Sequence, residues 1–318
     1  MQEVTVIIPN LNGKAFLKGC LSSLRQQTFR NFEVILVDNG SSDNSVAYVK
    51  ENFPEVRVHR FTVNTGFCHA VNAGIRLSSS PYVILLNNDT VCEEHFVEEL
   101  LTGIKRHPKG FSCQALMLRM HQPELIDDAG DYYCALGWAF ADGKGHPAAH
   151  CTREKKVFAA CAGAAIYNRR MMEKVGLFDE KHFAYLEDID IGYRAKIFGY
   201  ENWLIPSAKV LHAGSGTSGS AYNEFKVRHT SRNSIYLIYK NMPVFQIFLN
   251  LPLLVCGFCI KTIFFWKKGF LKEYLTGLWN GIRMSRREDK VIFQKNNRKN
   301  YGKIQLELWY NTIRRFHI

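Results

Sequence analysis

The chain has 318 residues, enough for one large hydrophobic core and an additional element. Its hydrophobic content of 47% and charged content of 22% are those of a globular protein and exclude a disordered chain. The net charge of +12 is uneven, because residues 1–225 hold 23 Lys and Arg against 25 Asp and Glu, whereas residues 226–318 hold 18 against 4. The positive excess lies beside long apolar runs, which favours a membrane-surface element over a solvated charged face or a nucleic-acid site.

The cysteines indicate a reducing compartment. Nine are scattered singly except Cys256 and Cys259, which lie inside an apolar run without a second pair or nearby histidines. We interpret that pair as packing rather than as a metal site, and we expect reduced thiols and a cytosolic catalytic domain. We expect no signal peptide, because residues 4–9 already have the pattern of a buried strand with no basic region before it.

Short apolar runs alternate with amphipathic stretches in the first half. Strands are predicted in four segments, at residues 4–8, 32–37, 56–61 and 82–86. Continuous β-branched runs between helical patterns are typical of an α/β fold with a doubly wound, mostly parallel, Rossmann-like sheet buried on both faces. Ligands of such sheets bind beyond the carboxyl ends of the strands, which directs attention to residues 9–10, 38–39 and 87–89.

The second half is less regular. Residues 120–156 are rich in Gly, Ala, Asp and aromatic residues with little periodicity, which predicts either a functional loop region or a disordered one. Residues 176–200 have a helical pattern, residues 213–220 form a Gly/Ser loop, and the chain from about residue 223 is predicted to be helical to its end. We expect residues 213–222 to form a lid over the site.

Two C-terminal segments favour contact with a membrane. Residues 243–265 are almost entirely apolar and approach the roughly 20 residues that a spanning helix needs. Residues 270–282 then carry a helical apolar stripe opposite charged and polar residues, as interfacial helices do. Spanning, lying in the interface and docking as a helical pair on the catalytic domain all remain open.

Two polar segments can contact a nucleotide. Asp38 follows the second strand, where a carboxylate can accept hydrogen bonds from a ribose or a base N–H, although Asp is also common in turns and caps. Residues 64–66 lead into a helix that carries Asn72, and a glycine at a helix start lets backbone N–H groups approach a diphosphate. This pattern is neither a Walker motif nor a dinucleotide fingerprint.

Asp89 is the candidate metal ligand. It follows the most apolar strand, and a diphosphate leaving group needs a divalent cation to absorb its developing charge. Hard oxygen ligands of this kind suit Mg²⁺ or Mn²⁺. The alternative is that Asp89 caps a helix predicted at residues 92–104.

The acidic residues Glu187 to Asp190 open a predicted helix. One of Glu187 and Asp188 would take the proton from an acceptor hydroxyl, and we expect only one of the two to face the site. Simple capping is the alternative, since the helix dipole favours acids there. Arg194 lies four residues after Asp190 and can pair with it. His212 precedes the Gly/Ser loop and either completes the metal shell or is structural.

Six motifs stand along residues 4–240 in a specific order and spacing. They are Val6-Ile-Ile-Pro-Asn10, Leu36-Val-Asp-Asn-Gly-Ser-Ser-Asp43, Asn64-Thr-Gly66 with Asn72, Leu85-Leu-Asn-Asn-Asp89, Val175-Gly-Leu-Phe-Asp179, and Tyr185-Leu-Glu-Asp-Ile-Asp-Ile-Gly-Tyr-Arg194 followed by His212. With these motifs the chain resembles the family 2 glycosyltransferases with the GT-A fold, in particular a rhamnosyltransferase-like bacterial branch.

The resemblance implies a role for each matching residue. Asp188 would be the catalytic base, and Asp89 and His212 would bind Mg²⁺ or Mn²⁺. Asn87 stands where the family has its first metal-motif acid, which puts strict metal dependence in question. The nucleotide-sugar would contact Pro9, Asn10, Asp38, Asn39, Asn64, Gly66, Asn72 and Asn88. Candidate acceptor contacts are Asp127, Asp128, Tyr132, Trp138 and Glu187.

We therefore predict a GT-A domain at residues 1–222, with a nucleotide-sugar half at about 1–110 and an acceptor half at about 111–222, and a basic helical, membrane-associating region at residues 223–318. The expected reaction is the inverting transfer of a sugar, with rhamnose as a candidate, from a dTDP- or UDP-linked donor to a glycan or lipid-linked acceptor in surface polysaccharide synthesis. The expected location is the cytoplasmic side of the membrane, either peripheral or single-pass, with no nucleic-acid partner.

Three rival functions remain. A catalytically inactive nucleotide-sugar-binding or scaffold protein is compatible with Asn87 in the metal motif. A nucleic-acid-binding protein is suggested only by the basic charge. A nucleotidyltransferase would share the sheet, but residues 10–14 lack the Gly-rich, Arg-bearing loop that it requires.

Overall fold

The computed structural model describes residues 2–214 and 222–316. The lid predicted at residues 213–222 falls mostly on residues 215–221, which lie outside the described residues. Within the described parts, one large mixed sheet carries helices on both faces, and further helices follow it.

The first four strands are parallel neighbours, as their apolar runs predict. They are β1 (Val4–Asn10), β2 (Phe32–Asn39), β3 (Arg57–Phe61) and β4 (Tyr82–Leu86), and β1 lies between β2 and β4. The crossovers are helices α1 (Lys14–Arg25), α2 (Ser45–Asn52) and α3 (Phe67–Leu77). Because β1 pairs Asn10 with Asp38 of β2, the polar ends of these strands meet at one edge.

The second half extends the sheet beyond β4 in the order β10-β12-β6-β11-β4-β1-β2-β3. Its strands in this sheet are β5 (Thr90–Cys92), β6 (Gly110–Arg119), β7 (Gln122–Asp128), β10 (Lys155–Val157), β11 (Ala164–Asn168) and β12 (Glu201–His212). Strands β8 (Asp131–Tyr133) and β9 (Ala139–Ala141) form a separate two-stranded sheet. Strand β11 is antiparallel to both of its neighbours, whereas β12 is parallel to β6. The helices are α4 (Phe96–Arg106), α5 (Arg169–Val175) and α6 (Glu187–Ile197).

The helix predicted over residues 176–200 is shorter than expected. Its regular part is α6, and residues 176–186 are mostly irregular because Gly176, Phe183, Tyr185 and Leu186 have positive φ angles, which no right-handed helix contains. Strand β12 begins after this segment, at Glu201, and places His212 beside Thr90 of β5.

Four helices form the C-terminal region. They are α7 (Glu224–Asn241), α8 (Val244–Lys267), α9 (Leu271–Met284) and α10 (Arg298–Arg315). Their buried side chains share a core with the sheet, since Leu237, Leu254 and Leu308 pack in one cluster with Tyr133 and Tyr193. The division into residues 1–222 and 223–318 therefore stays a prediction.

A buried ion cluster joins α6 to α7. Asp190 Oδ2 accepts hydrogen bonds from Arg194 Nη2 at 2.8 Å and from Lys240 Nζ at 3.0 Å, and Asp190 Oδ1 accepts one from Asn241 Nδ2 at 2.8 Å. Lys240 also bonds Asp179 Oδ2 at 2.6 Å. The expected Asp190–Arg194 contact is present, and Lys240 extends it across the two regions.

Candidate active site

A cavity of about 640 Å³ opens at the carboxyl ends of β1, β2 and β4, and we name it the central cavity. Most of the predicted site residues line it, namely Pro9, Asn10, Asn39, Asn64, Gly66, Asn88, Asp89, Glu187, Asp188 and His212. The carboxyl groups at positions 89 and 188 therefore face one space, although they come from distant parts of the chain. This is the edge at which open α/β sheets bind their ligands.

A row of polar side chains crosses the ends of β2, β1 and the segment after β4. Asp38 is fully buried behind the cavity wall, and its Oδ1 accepts a hydrogen bond from Asn10 Nδ2 at 2.9 Å. Asn10 Oδ1 in turn accepts one from Asn88 Nδ2 at 2.7 Å. Asp38 thus orients the two amides that reach the cavity. Its own contact with a nucleotide stays a prediction.

Gly13, just before α1, permits this row to form. A Cβ atom on Gly13 would overlap Asn88 Nδ2 and lie 2.6 Å from Asn10 Oδ1. The φ angle of Gly13 is −103°, which any residue adopts, so the close approach alone requires glycine. Gly13 was missed in the sequence, where a glycine after a strand indicates only a turn.

We expect Gly13→Ala to weaken nucleotide binding about tenfold, because the added methyl group would displace the Asn88 and Asn10 amides and the nucleotide would lose hydrogen bonds worth about 1–1.5 kcal/mol. Calorimetric titration with UDP and dTDP measures this effect. Gly302→Ala is the matched control, since nothing lies within 4 Å of a Cβ atom there. Equal affinities in the two variants would contradict the role of Gly13.

The loop from residue 64 to residue 66 is held by Asn39. Asn39 Nδ2 donates to Asn64 Oδ1 at 2.9 Å and to the Gly66 carbonyl oxygen at 3.1 Å, while Asn39 Oδ1 accepts from Thr65 N–H at 2.9 Å. Gly66 has a φ angle of 90°, and a Cβ atom there would lie 2.6 Å from the Phe183 ring. This loop therefore meets the turn before α6 at the cavity wall.

Asn72 does not line the central cavity, which corrects its predicted role as a nucleotide contact. Its Nδ2 donates to the Phe178 carbonyl oxygen at 2.8 Å and to Glu180 Oε1 at 2.9 Å, and its Oδ1 accepts from Phe178 N–H. Both ends of the buried amide are therefore occupied in joining α3 to residues 178–180.

A strained turn presents the acids of α6 to the cavity. Phe183, Tyr185 and Leu186 have φ angles of 63°, 73° and 66°, a region that bulky residues rarely adopt. Asn233 of α7, which is fully buried, holds this turn. Its Nδ2 lies 3.0, 2.9 and 2.7 Å from three carbonyl oxygens, those of His182, Ala184 and Tyr185. Such strain is kept where the surrounding structure enforces it, often at functional sites.

Asn233 could not have been selected from the sequence. It lies within a polar helical stretch, where an Asn is ordinarily solvent-exposed, and only the docking of α7 brings it to the turn.

Both Glu187 and Asp188 line the central cavity, so the expectation that only one of them faces it is wrong. Asp188 Oδ1 accepts a hydrogen bond from Ala162 N–H at 3.1 Å. Burial raises the pKa of the Asp188 carboxyl well above its ordinary value, and the nearby charge of Glu187 raises it further. Burial likewise raises the pKa of Glu187. A carboxylate with a raised pKa is a stronger general base.

Asp89, His212 and Asp127 form a polar row at the other side of the cavity. His212 Nε2 lies 3.4 Å from Asp89 Oδ1, and His212 Nδ1 lies 2.7 Å from Asp127 Oδ2. Burial lowers the pKa of His212, but the hydrogen bonds that its ring donates to Asp127 and Asp89 outweigh burial and raise the pKa to about 9. Asp89 precedes β5 and lies outside α4, so the capping alternative for Asp89 does not apply.

These three side chains fit a divalent cation. A carboxylate oxygen and an imidazole nitrogen converge from one side, and both are accepted ligands of Mn²⁺-like ions. Asp127 holds the other ring nitrogen of His212, which is the usual arrangement behind a metal-bound histidine. The raised pKa of His212 indicates that the surroundings stabilise a positive charge at this place.

Two further clusters of potential ligands are present in the described residues. Asp179, His182 and Asp190 lie together, but Lys240 and Arg194 already supply their positive charge. A separate group consists of Asp128, Asp131 and Cys161, of which Cys161 lines the central cavity.

A second cavity of about 550 Å³ adjoins the first and shares Cys161 and His212 with it; we name it the side cavity. Its lining includes both positive and negative side chains, among them Arg119, Asp127, Asp128 and Lys144. Asp127 and Asp128 therefore lie where an acceptor can approach His212 and Asp89.

Trp138 and Tyr132 line neither cavity, which corrects their candidacy as acceptor contacts. Trp138 Nε1 donates to the Gly257 carbonyl oxygen of α8 at 3.2 Å. Tyr132 is buried and stacks under Arg314, whose guanidinium lies 4.1 Å from the ring centroid. Both aromatic rings thus serve packing against the C-terminal helices.

The family model for glycosyl transferase family 2 matches residues 5–176, more than half of the chain and most of the central-cavity wall. The chain belongs to glycosyl transferase family 2. This membership makes it an enzyme of glycosyl transfer and agrees with the cavity at the sheet edge.

Curated relatives agree with this assignment. An N-acetylglucosaminyl-diphospho-decaprenol L-rhamnosyltransferase of Mycobacterium tuberculosis is 27% identical over 250 residues, covering 70% of this chain and 79% of that protein. Glycosyltransferase GlyA of Streptococcus pneumoniae is 36% identical over 106 residues, covering 32% of this chain and 15% of that protein.

Solved structures confirm the predicted GT-A fold of this glycosyltransferase. GalNAc-T7 with UDP, GalNAc and Mn²⁺ superposes with a TM-score of 0.60 at 18% identity, covering 75% of this chain and 48% of that one. TarS of Staphylococcus aureus superposes with a TM-score of 0.59 at 15% identity, covering 91% of this chain and 50% of that one. The chain therefore spans about half the length of either structure.

Proposed function

We propose that this glycosyltransferase moves a sugar, with inversion, from a nucleotide-sugar to an acceptor hydroxyl in the synthesis of a cell-surface glycan. The observation that carries the proposal is the meeting of Asp188 with Asp89 and His212 in the central cavity. A general base, a cation site and a polar nucleotide wall then surround one volume large enough for a donor.

The donor nucleotide would lie along Pro9, Asn10, Asn39 and the loop at Asn64, with its sugar toward Asp188. Asn10 and Asn88 offer amide groups whose orientation is fixed by Asp38, which favours recognition of a base or ribose by hydrogen bonds. We propose UDP- or dTDP-linked donors, because solved relatives hold UDP and the mycobacterial relative transfers L-rhamnose.

Asp188 would act as the general base. As the acceptor oxygen bonds to the anomeric carbon, its proton passes to the Asp188 carboxylate and the bond to the nucleotide diphosphate breaks, with both of its electrons going to the diphosphate. The transition state has the oxocarbenium character of glycoside hydrolysis, and a single displacement inverts the anomeric centre.

Asp89 and His212 would hold Mn²⁺ or Mg²⁺, which neutralises charge on the departing diphosphate. Asp127 would keep the His212 ring oriented for this contact. The first acid of the family metal motif is Asn87 here, so a weaker cation affinity is expected than with two carboxylates.

The acceptor would enter through the side cavity, where Asp127 and Asp128 can bind its hydroxyl groups, and would meet Glu187 in the central cavity. Because the mycobacterial relative acts on a diphospho-decaprenol-linked sugar, we propose a lipid-linked acceptor at the cytoplasmic side of the membrane. The basic, apolar region at residues 223–318 would hold the enzyme at that surface.

A panel of nucleotide-sugars tests this function. We expect one UDP- or dTDP-sugar to raise the melting temperature in Mn²⁺, since a ligand at about 100 times its Kd stabilises by about 2.7 kcal/mol. The same donor should be slowly hydrolysed, and EDTA should abolish both effects. ATP and GDP-sugars serve as controls.

If a donor binds but is neither hydrolysed nor transferred to any acceptor, the result would support the alternative of a catalytically inactive nucleotide-sugar-binding or scaffold protein, with which Asn87 is compatible. If no nucleotide-sugar shifts the melting temperature, the proposed function is wrong.

A further inference from the structure

Helix α8 is, among the described residues, the helix long and apolar enough to cross a membrane. Its 24 residues would extend about 36 Å, somewhat more than the roughly 30 Å of a hydrocarbon core. Only 17% of its most apolar stretch is buried, and most of its side chains are exposed in the described part of the protein. Length and composition alone therefore fit both a spanning and an in-plane helix.

One stripe of α8 is attached to the protein from end to end. Its members follow each other by three or four residues, which places them on one helix face. They are the buried Gln246, Asn250, Leu254, Gly257 and Phe265 and the half-buried Lys261, whose Nζ lies 5.7 Å from the centroid of the Trp138 ring. A helix that crosses the membrane would have to separate from the rest of the protein at one of its ends. Helix α8 instead keeps contact with the protein at both ends through this stripe.

The N-terminal part of the stripe is held by buried polar contacts. Gln246 Oε1 accepts a hydrogen bond from Tyr193 Oη of α6 at 2.7 Å. Asn250 exchanges two hydrogen bonds with Gln305 of α10, both at 2.8 Å. Pulling this end into lipid would leave these amides unpaired, which is costly in hydrocarbon.

The middle and the C-terminal part are held as closely. The Gly257 carbonyl oxygen accepts from Trp138 Nε1 at 3.2 Å, and a Cβ atom on Gly257 would overlap the Leu136 carbonyl oxygen. Phe265 stacks on Tyr274 of α9 with ring centroids 4.9 Å apart. Helix α8 is therefore attached along its length to other described parts of the protein, through α6, α10 and residues 136–138 toward its start and middle and through α9 at its C-terminal end.

The opposite face of α8 is apolar and exposed. Phe248, Val255 and Trp266 are 69%, 54% and 66% exposed, and they lie near the start, middle and end of the helix. Helix α9 continues the surface with Trp279 and Ile282, which are 60% and 56% exposed. We name these five residues the lipid face.

Basic side chains border the lipid face. Lys267 and Lys268 end α8, Lys272 and Arg283 flank the apolar stripe of α9, and α8 has no acidic residue. An anionic lipid surface matches this charge, whereas a second copy of the chain would bring like charges together.

We infer that α8 does not span the membrane but lies in its surface plane, with the lipid face inserted and the Gln246–Phe265 stripe holding the catalytic part against the headgroups. This inference rests on the membrane association proposed above and specifies its geometry. A turnover assay in detergent tests the catalytic function separately, because catalysis of a soluble acceptor does not require the lipid face.

The depth of spin labels in the bilayer distinguishes the two orientations. A cysteine replaces Phe248, Val255 or Trp266 in the full chain carrying Cys151→Ser, Cys161→Ser, Cys256→Ser and Cys259→Ser, which leaves only buried native cysteines. Each variant is labelled with a nitroxide on vesicles of phosphatidylcholine and phosphatidylglycerol. An in-plane helix places all three labels at one shallow depth, about 5–10 Å into the interface. Phe198→Cys, on the exposed end of α6, is the control and should stay in water.

A label at position 255 near the bilayer centre, with positions 248 and 266 near opposite surfaces, would overturn the inference. Failure to bind vesicles, with dipolar coupling between labels of two molecules, would overturn it in favour of a dimer. The double variant Phe248→Glu with Trp266→Glu should lower vesicle affinity on the order of a hundredfold, because it removes apolar area that the lipid face would bury in the bilayer. The control Phe198→Glu lies outside the lipid face and should leave vesicle affinity unchanged.

Discussion

Asp188→Asn is expected to lower kcat on the order of 10²–10⁴-fold, with nucleotide affinity unchanged. Asn keeps the shape of the side chain and can still accept the hydrogen bond from Ala162 N–H, but it cannot take a proton from the acceptor. Steady-state transfer measured with titrated donor separates the two effects. Glu201→Gln is the matched control, since Glu201 pairs with Lys156 away from the central cavity.

The pH dependence gives the same prediction a second readout. Because burial and Glu187 raise the pKa of Asp188, the base becomes active only above the usual carboxyl range of about 4. The wild-type kcat should therefore rise with pH through that raised pKa, and the Asp188→Asn variant should lack this limb. Turnover within tenfold of the wild type in a folded variant would remove Asp188 as the base.

Asp190→Asn is expected to destabilise the fold by about 3–5 kcal/mol, because it leaves the buried Arg194 without its anion and leaves Lys240 with Asp179 alone. Urea unfolding monitored by circular dichroism measures the change. Glu55→Gln is the control and should change stability far less, because it removes a pair with Arg25 in which both side chains are about half exposed and screened by solvent.

The effect should depend on pH in a defined direction. Burial would raise the pKa of Asp190, but the charges of Arg194, Lys240 and His182 and the hydrogen bond from Asn241 hold it well below its usual range. A carboxyl with a depressed folded-state pKa contributes its stability above the unfolded pKa of about 3.9 and loses it as the pH falls through the folded value. The difference between wild type and Asp190→Asn should therefore be constant from neutral pH to about pH 4 and shrink below it. A difference that grows on acidification would contradict this role.

Local sequence patterns were sufficient for the first half of the sheet. The apolar runs of β1, β2 and β4 are continuous and sit between clear helical patterns, so both their type and their parallel arrangement follow. Strand β12 was missed because Pro206 and polar residues interrupt its pattern and its pairing with β6 shifts register between Ile205 and Lys209. A strand of that kind is defined by its neighbours more than by its own residues.

The candidate site divides in the same way. Asp89, Asp188 and His212 stand in recognisable motifs, and the structure brings them to one cavity. Asn72 and Trp138 were also candidates from the sequence, yet their side chains make internal contacts with other parts of the protein. The sequence could not distinguish them, because the identity of a polar or aromatic residue does not show which way its side chain faces. Gly13 and Asn233 act only through contacts with residues far along the chain, which no local pattern contains.

Asn233 of α7 fixes the turn at residues 183–186, so this turn can form only after α7 has been synthesised. Helix α7 fixes that turn, and α7 is itself clasped by α9, where Cβ atoms on Gly277 and Gly281 would lie 2.5 Å from carbonyl oxygens of α7. The nucleotide half leaves the ribosome long before these helices do. A nascent chain can therefore fold the proposed nucleotide-binding wall before the turn that positions Asp188 is fixed. The proposed base would reach its place only when the C-terminal helices, which we propose to contact the membrane, have been synthesised.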